Sequence, residues 1–169
     1  MKFPTTLAWL ACALLPLAAF AADDAALEKG LTDAMRYDRA KSERVAPSGP
    51  ALQGYIQAGY FGLKPDVRAD YTDYRLLKRP APFMGQSLVL VEEEYMSQYI
   101  GCCVDEGVSA VVRVSGSTAK LEAFAKANAC RFEPKYDPAE ELTGRNLGIS
   151  LPPGNYARLS CHENDANRE

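Results

Sequence analysis

Cys102 and Cys103 stand side by side in the stretch QYIGCCVDEG. Adjacent cysteines almost never bond to each other, because the small ring they would close is strained. Each must therefore find a sulfur elsewhere, so the fold has to bring distant segments to one place. The available partners are Cys130 and Cys161. Two pairings are open: Cys102–Cys130 with Cys103–Cys161, or Cys102–Cys161 with Cys103–Cys130. In extended backbone neighbouring side chains point to opposite faces, so the pair would tie one short segment to two parts of the fold. Each loop spans roughly 28–60 residues, and closing it stabilises by about 3–4 kcal/mol in the chain-entropy model. A zinc site from these four cysteines and His162 fits less well, since zinc sites use Cys-x-x-Cys spacing to turn both sulfurs toward one ion. A redox-active dithiol would want the same spacing at a helix start.

Disulfides persist only in an oxidising compartment, and the N-terminus speaks to that. MKFPTTLAWLACALLPLAAFA has one positive charge, Lys2, an apolar run from Leu7 to Phe20, and a small-x-small close at Ala19-Phe20-Ala21. This is the layout of a secretory signal peptide, too short for a stable membrane span. Cys12 lies inside the apolar core, with Trp9 where a lipid-attachment signal expects a small aliphatic residue, so cleavage after Ala21 is the expectation. Residues 1–21 are then the leader, and residues 22–169 form a single domain of the mature protein, long enough to close its own core. Loss of Lys2 moves the net charge from −3 to −4. So mildly acidic a chain has no electrostatic case for nucleic acid or for anionic membranes. No second apolar run approaches spanning length, so no membrane insertion is expected after cleavage. The sequence reads as a soluble periplasmic protein.

Asp23 to Val45 is charged, with Leu27, Leu31, Ala34 and Met35 at helical spacing, and predicts an amphipathic helix. Ala46-Pro47-Ser48-Gly49-Pro50 breaks it as a linker, and Ala51 to Phe61 suggests a second helix ending at Gly62. Tyr71 to Lys78 reads as a strand that Arg79-Pro80-Ala81-Pro82 stops. Gln86 to Glu92 is the clearest strand, apolar on both faces and so central. Asp105-Glu106-Gly107 turns into the next, Gly107 to Val114. Ser117 caps a helix over Thr118–Ala129, with Leu121, Phe124, Ala125 and Asn128 on one face. Asp137-Pro138-Ala139-Glu140 is a capping box for a short helix to Leu142. Pro152-Pro153-Gly154 turns the chain into a last strand, Asn155 to Cys161, and the polar tail from Glu163 is expected to fray. The order predicts an α+β fold: an antiparallel sheet with one main packed helix, N-terminal helices and two disulfides.

No catalytic set stands out. The single histidine, His162, lies near the C-terminus, where a solvated surface residue is the ordinary expectation. Gly85-Gln86-Ser87-Leu88-Val89 begins like a nucleophile elbow but has Val89 where glycine is required. There is no His-Glu-x-x-His, phosphate loop or GxGxxG, and no metal or cofactor is expected. Two carboxylates could do acid–base work without histidine, from Asp70 and Asp73 or from Glu92-Glu93-Glu94. The plainer reading makes the glutamate run a solvated sheet end and the aspartates flanks of a strand start.

The surface offers more. Of nine tyrosines, six fall between Tyr55 and Tyr99. Tyrosine gives large contact area with a polar tip at small entropic cost, which favours it at interfaces. Glutamates can present an acidic edge to a basic partner cleft and steer encounter. The candidate partner-binding residues are therefore Tyr71, Asp73, Tyr74, Glu92, Glu93, Glu94, Tyr95 and Tyr99. A signal peptide, one small acidic disulfide-bonded α+β domain and no catalytic set together resemble the periplasmic immunity proteins of bacterial type VI secretion systems. Periplasmic lysozyme inhibitors are similar in the same outline. The first resemblance implies a protein that binds and neutralises a toxic effector, such as a phospholipase, peptidase or peptidoglycan hydrolase. It covers the organisation of the whole mature chain and carries no motif. The alternatives are an envelope assembly factor or secretion adaptor, and a small carboxylate-dependent hydrolase of the cell envelope.

Overall fold

Strands Gly107–Arg113 and Tyr156–His162 alternate strictly: Val108, Ala110 and Val112 with Ala157, Leu159 and Cys161 on one side, Ser109 and Val111 with Arg158, Ser160 and His162 on the other. That period of two fixes which face of the sheet meets the helices. The computed structural model describes residues 17–95 and 104–167. Cys12, Tyr99, Cys102, Cys103 and residues 1–16 of the expected leader lie outside the described residues.

In chain order the elements are α1 (Leu17–Met35), β1 (Tyr37–Asp38), β2 (Glu43–Arg44), α2 (Ser48–Gln57), β3 (Val67–Ala69), β4 (Thr72–Phe83), β5 (Gln86–Glu94), β6 (Gly107–Arg113), α3 (Ala119–Ala127), β7 (Arg131–Tyr136) and β8 (Tyr156–His162). Strands β1 and β2 make a small hairpin; the others form one antiparallel sheet in the order β3-β4-β5-β6-β8-β7. The three helices pack on one face, where Leu31, Met35, Leu52, Tyr55 and Leu121 close over Leu88, Val91, Val108 and Leu159. On the opposite face, a π-helical turn at Ala139–Thr143 and the following loop bring Leu142, Leu147 and Ile149 onto Leu90, Val111 and Tyr156. They cover only that half of the face.

The α+β architecture and antiparallel sheet are as the sequence predicts, but several local expectations fail for identifiable reasons. The first helix ends at Met35, not Val45, because the Asp38 carboxylate accepts the Ala40 N–H at 2.9 Å and starts a turn. Helix α2 starts within the expected linker, since Pro50 sits in its first turn, where a missing N–H is harmless. It stops before Phe61 in a Schellman cap: Gly59 takes φ 76°, its N–H reaches the Ile56 carbonyl, and the Tyr60 N–H reaches that of Tyr55. The Tyr55 and Tyr60 rings then meet edge to face at 5.7 Å. Strand β4 runs through Pro80 and Pro82 because β3 covers only Thr72–Tyr74, leaving the rest of its outer edge free of a ladder, with a bulge between Leu76 and Ala81. Strand β7 has no counterpart in the sequence reading; Pro134 within it hides it, and its edge position tolerates that proline.

The disulfide expectation is corrected. Cys130 bonds Cys161, with Cα atoms 4.4 Å apart, which excludes both pairings drawn from the sequence and leaves one disulfide among the described residues, not two. The register explains it. Arg131 faces Ser160 across the β7–β8 ladder, so one step back Cys130 faces Cys161. Two cysteines opposite each other on neighbouring strands are preplaced to bond.

Candidate functional site

The run Glu92-Glu93-Glu94 occupies the last three positions of β5, and strand alternation splits it between the two faces of the sheet. Glu92 shares its face with Tyr74, Ser109 and Ser160; Glu93 shares the helix-bearing face with Asp73, Val108 and Cys161. A pocket opens at this end of the sheet on each side, and Glu94 borders both.

The first is a polar cleft of about 200 Å³ on the half of the sheet that the Leu142–Ile149 loop leaves uncovered. Its floor is built by cross-strand pairs. The Arg158 guanidinium donates from Nε (3.0 Å) and Nη2 (2.5 Å) to Glu92 Oε2, with both side chains largely buried. Burial works against the Arg158 charge, but Glu92 and Glu133 more than offset it and hold its pKa above the ordinary value. Ser109 Oγ lies between the Glu92 and Ser160 positions, fully buried and without a hydrogen-bond partner. Arg131 and Arg145, both well exposed, stand among the cleft's lining residues.

At the end of β8 the cleft contains a serine, a histidine and an aspartate. Ser160 Oγ lies 2.9 Å from His162 Nδ1 and donates to Asp165 Oδ2 at 3.1 Å, while the His162 backbone N–H donates to the same carboxylate oxygen at 2.9 Å. Ser160 has one proton and gives it to the carboxylate, so His162 Nδ1 must carry a proton and donate to Ser160. Burial raises the Asp165 carboxyl, and the hydrogen bonds from His162 and Ser160 outweigh it, leaving its pKa below the ordinary value. A hydrolytic triad needs serine on Nε2 and aspartate on Nδ1. Here both crowd Nδ1, so the serine has no base. The group works as a clamp that fastens the Asn164–Asn167 turn to β8, which corrects two expectations: His162 is buried rather than solvated, and the tail through Asp165 is anchored rather than frayed.

The second pocket, about 800 Å³, lies on the helix side between the β1–β2 hairpin, the N-terminus of α2 and the ends of β5 and β6. Glu93 faces it with 8% of its surface exposed, and its Oε1 accepts the Ser48 hydroxyl at 2.6 Å. Burial raises the Glu93 carboxyl above its ordinary pKa, with Ser48 and the more distant Arg75 opposing and Asp73 adding to the rise. Arg44 forms part of the wall. Its guanidinium donates to the carbonyls of Met35, Asn128, Ala129 and His162, so it pins the hairpin beside the disulfide and pairs with no glutamate among the described residues.

Of the other residues singled out from sequence, Asp73 is buried and held by Arg68 through Nε (2.5 Å) and Nη2 (2.9 Å), by the Tyr95 hydroxyl at 3.2 Å and by Arg75 at 3.4 Å. Its role is to lock β3 to β4. Tyr74 is buried against Leu90 and Val111. Tyr71 is 40% exposed at the β3–β4 turn, and Asp70 takes φ 52° in that turn. Glu92 and Glu93 are buried, so the glutamate run is no solvated sheet end; only Glu94 keeps appreciable exposure. The residues missed were Arg158, Ser160, Asp165, Arg131 and Ser48. For two of them a signal existed: Arg158 and Ser160, with His162, alternate with Ala157, Leu159 and Cys161, marking a strand with a polar face.

Among the described residues, no group of three or more His, Cys, Asp or Glu side chains is placed to hold a metal ion, and no helix is long and apolar enough to cross a membrane. Comparison of the chain with protein-family models finds no match, and comparison with curated proteins and with solved structures finds none either.

Proposed function

We propose that this chain is an exported binding protein that neutralises a toxic effector, of the kind a type VI secretion system delivers, by stoichiometric occlusion in the periplasm. One observation carries the reading: the end of β5 feeds carboxylates into two preformed pockets on opposite faces of the sheet, beside the exposed Tyr71. Charged groups already fixed by the fold lose little entropy on binding, and complementary charge speeds encounter and fixes register. Arginine and tyrosine, here Arg131 and Arg145 lining the polar cleft and the exposed Tyr71 at the β3–β4 turn, are residue types that interfaces favour. The signal peptide and the resemblance in overall organisation support the compartment and the class of partner.

The test is capture of partners by mature, oxidised protein from periplasmic extract supplemented with the products of neighbouring genes, followed by toxicity rescue. A partner that is toxic alone and harmless in the complex is the expected result. Tyr71→Ala with Glu94→Lys, both at accessible positions, should weaken that complex at least about tenfold, or 1.4 kcal/mol, with circular dichroism unchanged. A partner that binds yet keeps its activity would replace this reading with the adaptor.

A further inference from the structure

The pocket on the helix side has a composition that the polar cleft lacks. Among the described residues, carboxylates line it at Glu43, Glu93, Glu94 and Glu163, against one cation, Arg44, which is spent on backbone carbonyls. Between them stand apolar walls, including Ala34, Ala46, Pro47 and Val108. At about 800 Å³ the space falls within the range of pockets that take small organic ligands, roughly 300–1,000 Å³.

Glu93 gives the pocket a focus. More than nine-tenths of it is buried and its Oε1 holds the Ser48 hydroxyl, but its Oε2 has no hydrogen-bond or ion-pair partner among the described residues. A buried carboxylate with a free oxygen facing an accessible space is stabilised by whatever cation reaches it, and a charge-assisted hydrogen bond there is stronger than one in water. Metal ions are poorly served, because no three ligating side chains converge among the described residues.

We infer that this pocket binds an organic cation, an ammonium or guanidinium carried on an apolar stem, with the charged head at Glu93 and the stem along Ala34, Pro47 and Val108. The same chemistry is available from a free amine and from a lysine or arginine side chain of a polypeptide. This inference stands apart from effector neutralisation and survives if that reading fails.

Isothermal titration of the intact mature protein at pH 7.5 tests it with four probes: n-pentylamine, its neutral isostere n-pentanol, 1,5-diaminopentane, and the peptide acetyl-Gly-Lys-Gly-amide. Pentylamine should bind measurably tighter than pentanol. Glu93→Gln, which keeps the shape and the acceptor for Ser48, should weaken the amine at least about tenfold, and Glu133→Gln on the opposite face should not. Amide chemical-shift changes should centre on Ser48, Gly49 and Val108. A free diamine that outbinds the lysyl peptide assigns the site to a small amine; the reverse order assigns it to a basic side chain. Pentylamine binding no tighter than pentanol, or unaffected by Glu93→Gln in a folded variant, would overturn the inference.

Discussion

Glu92 and Glu93 are consecutive, both glutamates and nearly equally buried, at 5% and 8% exposure. Their circumstances differ in kind. Glu92 lies under the Arg158 guanidinium with two hydrogen bonds from it; Glu93 has one serine hydroxyl and, among the described residues, no cation within ion-pair distance. The first carboxylate is part of the finished fold. The second is ionised only against a penalty, and that difference marks the helix-side pocket as the more unfinished of the two. Burial alone does not separate structural from functional carboxylates; the charge partner does.

The contrast can be broken hardest from the Glu92 side. Arg158→Met leaves Glu92 buried with no cation and should cost about 3–5 kcal/mol in urea unfolding, whereas Glu92→Met combined with Arg158→Met should restore most of that loss. If the single and the double variant cost the same, the pair does not act as a unit. Next comes Ser48→Ala, which removes the hydroxyl from Glu93 and should destabilise by about 1 kcal/mol. It should also push the Glu93 carboxyl further up, measurable by titration of its carboxyl carbon resonance. The smallest effect has the sharpest sign. Because the folded pKa of Glu93 is raised above the ordinary 4.5, the native state holds more protons than the unfolded chain between those two values. This group's favourable contribution is therefore complete below about 4.5 and is lost as pH rises through the folded pKa. Glu93→Gln mimics the protonated form. It should raise the thermal midpoint by a few degrees at pH 7.5 and leave it nearly unchanged at pH 4; a midpoint lowered equally at both would mean that Glu93 is needed ionised.

Much of the fold could be read from period and punctuation. The long apolar segments QSLVLVE and GVSAVVRV became β5 and β6, and the Leu121–Ala125 stripe became the buried side of α3. What escaped was decided by tertiary context. Pro80, Pro82 and Pro134 argue against strands only where both edges are paired, and no local signal says that a strand is at a border. The cysteine pairing depended on cross-strand register, which spacing along the chain does not encode. The site was half legible. The glutamate run and neighbouring tyrosines drew attention to the correct end of β5, but which glutamate would meet an arginine required knowing that β8 lies on the far side of β6.

The proline-bearing borders also restrict how any second chain can join this one. One flank of the sheet is the three-residue β3, continued by the stretch of β4 that contains Pro80 and Pro82; the other is β7, interrupted by Pro134 and tethered through Cys130. Neither offers an unbroken row of N–H donors, so the sheet resists edge-to-edge polymerisation and strand donation by a guest. The same barrier leaves a binding partner the pockets and faces of the sheet as its points of entry.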